Sequence, residues 1–477
     1  MTTFKPTLKL LDATMLVAGS MIGSGIFIVS ADITRNVGSA GWLILVWLIT
    51  GIMTLIAAVS YGELSAMYPK AGGQYVYLKE AYNPLIGFLY GWSFFSVIQT
   101  ATIAAVGVAF AKFTAYIIPA FSEDKVALDL GFLTISPAQL LSILIIVLLT
   151  FINTRGVKSG KGIQTTFTLT KLLSLFGLII FGLVALKPEI WNANWTDAWK
   201  LQHLSTEGST ASYTTIAALG AIAAAMVGSV FSSDSWHNVT FIAGEVRNPK
   251  RNIGLSLFLG VLIVTIIYLL TNIMYLGVLS LQDIASADKD RVAVSAAHII
   301  FGQAGTVIIA VMIMISTFGC NNGLVMAGAR VYYTMANDGL FFKKAAQLNK
   351  AAVPGFALWV QCLFACAWSL SGKYGDLLDM ISFVVVVFYM LTIAGIFILR
   401  RKQPHIERPY KAVGYPVLPL LYIIMGLTFC ILLIIYKPKF TWPGLIITLL
   451  GIPVYYLVMA SRRRVDHHKK DNDLSNN

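Results

Sequence analysis

Charge and cysteine are both scarce in this chain of 477 residues. Charged side chains make up 12%, about half the ~25% of an ordinary soluble domain. The four cysteines, Cys320, Cys362, Cys366 and Cys430, fall inside apolar stretches. Cys362 and Cys366 stand one helical turn apart, which is not metal-ligand spacing, so free, buried, small apolar residues are expected. A disulfide scaffold and a zinc site are thereby set aside. No P-loop, HExxH or GxSxG motif is present, and no polar stretch is long enough to form a soluble catalytic domain. Neither an enzyme nor a bound cofactor or metal is expected.

What the chain has is apolar length. Hydrophobic residues make up 57%, in runs of about 20 residues that each suffice to cross ~30 Å of hydrocarbon as a helix. The ten-residue alternation of a membrane barrel is missing. Twelve spans are predicted, near 12–34, 41–68, 83–118, 136–154, 163–186, 213–244, 254–279, 303–333, 354–371, 377–400, 415–436 and 441–460. The first is not a cleavable signal, because it is long and lacks a small-residue cleavage site.

Basic residues orient these spans. With both termini on the cytoplasmic side, the inner segments carry two, two, three, three, four, five and five Lys or Arg, 24 in all, against nine outside. Lys and Arg in short loops resist translocation, so this is a positive-inside pattern for a multi-pass protein of the cell membrane. The net charge of +13 is scattered over those seven segments. It fits contact with anionic headgroups of the bilayer rather than nucleic acid.

Two spans weaken their own centres. Span one holds "GSMIGSGIF" (19–27), three glycines and two serines in nine residues, where each glycine disfavours helix by roughly 1 kcal/mol against alanine. Either Gly19 and Gly23 allow close helix packing, or the helix breaks near Ile22–Gly25. A break frees amides at the start of the outer half, where an anion can bind. Span six holds "FSSDSWHN" (231–238), with an aspartate that is costly at mid-depth without water or a partner. Asp234 is either a structural carboxylate capping this serine-rich turn or part of a functional site. Spans one and six open two sets of five, and five is odd, so they run in opposite directions. Interrupted helices at matching positions of antiparallel halves mark an inverted-repeat transporter with a midplane site.

The sequence is similar to the amino acid–polyamine–organocation superfamily, in the branch of L-type amino acid transporters and their bacterial relatives. The resemblance covers spans one to twelve. It rests on "GSMIGSGIF", "YGELSAMYPKAGGQYVYLKEAY" (61–82), "FSSDSW" followed by "GEVRNPKRNIG", "GCNNGLVMAGARVYYTMANDG" (319–339) and "ILRRKQPHIERPYKAVGYPVLP" (398–419). It implies an all-α polytopic membrane protein with about 12 transmembrane helices. Residues 12–186 and 213–400 would form a 5+5 inverted repeat with helices 1 and 6 interrupted. Two more helices would follow at 415–461, flanked by a cytoplasmic N-terminus (1–11) and a cytoplasmic tail (462–477) expected to be disordered.

The resemblance also implies the site. Backbone amides around Ile22, Gly23, Ser24, Gly25 and Ile26 would take the carboxylate of an L-amino acid, and carbonyls around Phe231, Ser232 and Asp234 its ammonium. Phe231 would gate the bound substrate. Lys171, in "FTLTK" of span five, lies about 12 Å deep at 1.5 Å per residue. It either snorkels to the headgroups or, as in sodium-independent relatives, stands where sodium-coupled ones hold an ion between spans one and eight. In the second role it would cross-link those two spans. The implied activity is secondary active transport of L-amino acids by alternating access, sodium-independent, as an exchanger or proton-coupled symporter. A sodium-coupled carrier or a polyamine or cationic amino acid transporter is the alternative; a channel or membrane enzyme fits less well. Animal relatives pair with a glycoprotein through a cysteine in the loop after span three. Here that loop (120–134) has none, so no disulfide-linked accessory subunit is expected and a bacterial, stand-alone carrier fits. Glu63 is expected to order the first inner loop, and His237 to be a polar residue facing the cavity.

Overall fold

A computed structural model describes residues 6–129, 131, 134–371 and 374–475, with side chains other than those of 157–165, 440, 461 and 463–475. Among the described residues, ten helices are long and apolar enough to cross a membrane, and two shorter apolar helices, Leu10–Met21 and Gly355–Ser371, complete twelve transits in the predicted order. Span one is Leu10–Met21, Gly25–Ile28 and Ser30–Val37. Span two is Ala40–Met67, and span three is Pro84–Ile117, with a π-turn at Phe94–Ile98. Spans four and five are Pro137–Thr154 and Val157–Val184, and span six is Thr215–Ser232 followed by Asn238–Phe241. Spans seven to ten are Pro249–Val278, Val292–Asn337, Gly355–Ser371 and Tyr374–Lys402. Spans eleven and twelve are Val417–Tyr436 and Pro438–Ser475.

Local signals account for many of the starts. Proline opens spans three, four and seven, at the first helical position where a missing N–H breaks no bond. Asn83 caps span three by accepting from the Ile86 amide at 3.0 Å, and Ser136 with Gln139 forms a reciprocal capping box on span four. Span eight begins eleven residues before its predicted start, because Val292–Phe301 is helical up to a kink at Gly302 (φ 69°). The tail expected to be disordered is instead helical to Ser475; the chain holds no glycine or proline beyond Pro453 to stop the helix.

Contacts between loops show that the spans alternate in direction. On the face bearing the termini, the Thr7 and Leu8 amides donate to Glu245 and Gly72 donates to Phe241, while Arg462 reaches the Asp338 carbonyl. On the opposite face, Arg35 pairs with Asp290 at 2.8 Å, Lys289 pairs with Asp124, and Gln282 reaches Thr206. The first half of span one packs on Asn238–Phe241, and its second half on Thr215–Ser232. Spans one and six are therefore antiparallel, and each is interrupted where the other is.

Candidate functional site at the two interrupted helices

Span one breaks rather than merely packing closely. Its inner half stops at Met21 and helix resumes at Gly25, leaving Ile22–Ser24 outside regular structure. The last carbonyls of a helix have no partner within it, and in a dry interior each must find one. Side chains from three other spans supply them. Lys171 of span five, fully buried, donates to Gly19 and, at 2.8 Å, to Ile22. Cys320 of span eight reaches the Ser20 carbonyl at 3.4 Å, and the Tyr268 hydroxyl of span seven reaches Met21 at 3.0 Å. The four carbonyls from Gly19 to Ile22 are all satisfied.

Span seven follows the break along its length. Tyr268, Asn272 and Tyr275 occupy positions i, i+4 and i+7, one face of a helix. Tyr268 touches span one before the break, and Tyr275 donates to Ile26 just after it, at 3.2 Å. Asn272 accepts from Ser30 farther on, at 2.7 Å.

The amide side is left open. Among the described residues, the N–H groups of Gly23, Ser24, Gly25 and Ile26 have no hydrogen-bond acceptor. Gly25 itself must be glycine, because an added Cβ would lie 1.9 Å from Ser232 Oγ and 2.6 Å from Ser232 Cβ. That contact brings the two broken helices together at one point.

Span six breaks over Ser233–His237, with Ser235 in the left-handed region (φ 65°). Here the Asp234 and His237 side chains are tied, and the carbonyls of Ser235 and His237 accept from Asn238 and Thr240. The Tyr389 hydroxyl of span ten donates to Asp234 Oδ1 and lies 2.7 Å from His237 Nδ1. Of the predicted ammonium ligands, the Phe231 carbonyl accepts from the Asp234 amide at 3.1 Å, and Ser232 accepts from Tyr268 at 2.9 Å. Among the described residues, the carbonyls of Ser233 and Asp234 accept no hydrogen bond.

The two sides of the site are closed to different depths. Toward the termini, Tyr61, Trp236 and Tyr389 pack ring to ring, with centroids 4.8, 5.3 and 5.9 Å apart. Ion pairs lie beyond them: Arg330–Glu245 at 3.1 Å, Lys79–Asp338 at 2.6 Å and Arg400–Glu63 at 2.7 Å. Toward the opposite face, Phe231 meets Tyr374 edge to face at 6.1 Å, and Tyr374 bonds Ser24 at 3.0 Å. Past Tyr374 opens a cavity of about 420 Å³ lined by Asp32, Arg35, Asp290, Asp379 and Lys437 among others.

The structure thus gathers Ile22–Ile26, Phe231, Ser232, Asp234 and Lys171 around one pair of breaks. Lys171 does not snorkel. Its ammonium binds span one at two carbonyls, and the tie from span eight comes from Cys320 instead of from the lysine. Glu63 is tied to a different inner segment from the first inner loop expected of it: it accepts from Arg400 and from the Ala412 amide of the loop before span eleven. His237 lies 2.7 Å from the Tyr389 hydroxyl. Arg330 is buried within span eight against Glu245. The residues that sequence reasoning missed are Tyr268, Tyr275, Tyr374 and Tyr389. The polar stripe on apolar span seven was the available signal for the first two.

Several known proteins have similar sequences. The chain is 30% identical to the large neutral amino acids transporter small subunit 2 of Mus musculus over 459 residues, 95% of this chain and 81% of that protein. It is 29% identical to the serine/threonine exchanger SteT of Bacillus subtilis over 460 residues, 95% and 96% of the two chains. Asc-type amino acid transporter 1 of Mus musculus is 28% identical, over 95% and 81%. The profile of the amino acid permease family matches residues 8–458, and the chain belongs to that family.

Proposed function

We propose that this permease exchanges neutral L-amino acids across the cell membrane without sodium. The observation that carries the reading is the split between the two breaks: span one presents free amide donors, and span six free carbonyl acceptors. An α-amino acid is a zwitterion and needs both. Its carboxylate sits on the amides of Gly23–Ile26 at the positive end of the outer half-helix, and its ammonium at the carbonyls of Ser233 and Asp234, just past the negative end of the first half of span six. Lys171 favours independence from sodium, because its ammonium already engages carbonyls of span one that a coupling cation would have to coordinate. Phe231 and Tyr374 form the thin outer lid. A lid on one side and a deep aromatic plug on the other suit alternating access better than a continuous pore.

The excess of Lys and Arg puts both termini in the cytoplasm. The names of the relatives, large neutral amino acids and serine/threonine, support a neutral substrate. The mouse relative is named a small subunit, but the cysteine-free loop 120–134 favours a carrier that works without a disulfide-linked subunit. Counterflow of labelled amino acids in proteoliposomes tests the proposal. Uptake should be stimulated by unlabelled neutral amino acid inside, and should be unchanged when choline replaces sodium. Uptake without trans-stimulation, or its collapse in choline, refutes it.

A further inference from the structure

We infer that a groove between spans two, seven and eleven holds one anionic phospholipid from the leaflet on the side of the termini. Its phosphate would sit on Lys250 and Arg251, and an acyl chain would lie along the groove. The site is separate from the two breaks and does not depend on the substrate reading. The groove encloses about 930 Å³, within the range of built ligand sites. Glycine lets spans two and seven close its floor: a Cβ on Gly254 would lie 3.3 Å from Gly62 Cα. The Tyr410 ring packs over Gly62 at the inner end, where a Cβ on that glycine would lie 2.6 Å from it. Val413 and Leu418 form the third wall, and Val413 is 59% exposed.

The lining changes character along its length. Lys250 and Arg251, in the first turn of span seven, are its charged residues; Leu55, Val59 and Phe258 carry it on as apolar surface. From Lys250 to Phe258 the groove runs about 12 Å along the helix axis at 1.5 Å per residue. Lys250 pairs with Glu407 at 2.8 Å, both well exposed. Arg251 is exposed and makes no ion pair among the described residues. A guanidinium without a counter-charge matches a phosphate diester in geometry and sign. The positive end of span seven adds to that attraction. A soluble anion would use only this mouth. A phospholipid also covers the apolar wall behind it, which faces hydrocarbon and has no partner within the chain.

The test uses purified, delipidated full-length protein and native mass spectrometry. It compares palmitoyl-oleoyl phosphatidylglycerol with phosphatidylcholine of the same chains. The unmodified protein should hold one phosphatidylglycerol about tenfold more tightly, as one to two basic side chains near a headgroup supply. Lys250→Gln with Arg251→Gln should cut the preference to about twofold, with little change in melting temperature. Lys343→Gln with Lys344→Gln removes the same charge from exposed sites outside the groove, and should leave the preference intact. Leu255→Trp, which fills the groove and keeps both charges, should remove the tightly held lipid. Should that variant fold poorly, Val413→Trp on the exposed wall gives the same readout. Equal retention of the two lipids, equal loss in the Lys343/Lys344 variant, or full retention in the filled groove would each overturn the assignment. Displacement of the lipid by sn-glycerol 3-phosphate would also overturn it, by showing an anion site that needs no groove.

Discussion

In span one, every carbonyl from Gly19 to Ile22 is taken by a side chain of another span, and among the described residues the amides from Gly23 to Ile26 have no acceptor. In span six, the carbonyls of Ser233 and Asp234 accept no hydrogen bond among the described residues, while the Asp234 and His237 side chains are tied to Tyr389. A helix can break at membrane depth only where its freed groups are met. On the proposed reading, the amides left over at the first break and the two carbonyls left over at the second are what a ligand meets. Two antiparallel helices broken side by side then offer donors on one strand of backbone and acceptors on the other. That pairing needs no side chain at the polar end of the substrate.

The contact between Gly25 and Ser232 is where this arrangement is most fragile. A methyl at Gly25 falls inside the Ser232 side chain and must push the half-helices apart. Gly25→Ala should therefore abolish binding of every amino acid tested, whatever its side chain, and lower the melting temperature. Normal affinity in that variant would remove the site from span one.

Lys171 comes next. Lys171→Ala strands two buried carbonyls, at about 1–3 kcal/mol each, in a segment that has to change its neighbours during transport. Transport should fall about a hundredfold, with binding affected less. Wild-type exchange in proteoliposomes would show that the carbonyl end of span one needs no such partner.

Smaller effects distinguish the side chains of the second break. If Asp234 serves Tyr389 and not the substrate, Asp234→Asn keeps an acceptor for the tyrosine hydroxyl. It should change all affinities by about threefold or less, in the range of one altered hydrogen bond. A selective loss of cationic substrates would instead put the carboxylate in the side-chain pocket. Least of all is Cys320→Ala. It removes a weak, long thiol contact to Ser20, and transport should stay within about threefold of normal.

The architecture was legible wherever it depended on apolar length, charge placement or helix-breaking residues. Composition alone implied twelve transits in this order, and glycines and serines marked both breaks. The early start of span eight was hidden because Gly302 separates the short apolar stretch 292–301 from the main span. The partners of the freed carbonyls were less accessible. Lys171 stood out as a charge inside an apolar span, but which carbonyls it meets depends on how span five packs against span one. Tyr268, Tyr374 and Tyr389 look like ordinary membrane aromatics in sequence, and only packing reveals that their hydroxyls join separate spans. The helical tail shows the converse: a polar composition predicted disorder where the absence of a breaker allowed the last helix to continue.

The pairing of free donors with free acceptors is tested most directly by a structure of the protein with L-alanine bound. The carboxylate should lie within hydrogen-bond distance of the amides between Gly23 and Ile26, and the ammonium at the carbonyls of span six beside Tyr268. Lys171 should still hold Gly19 and Ile22. An amino acid bound in the reverse orientation, or bound to side chains away from the two breaks, would contradict it.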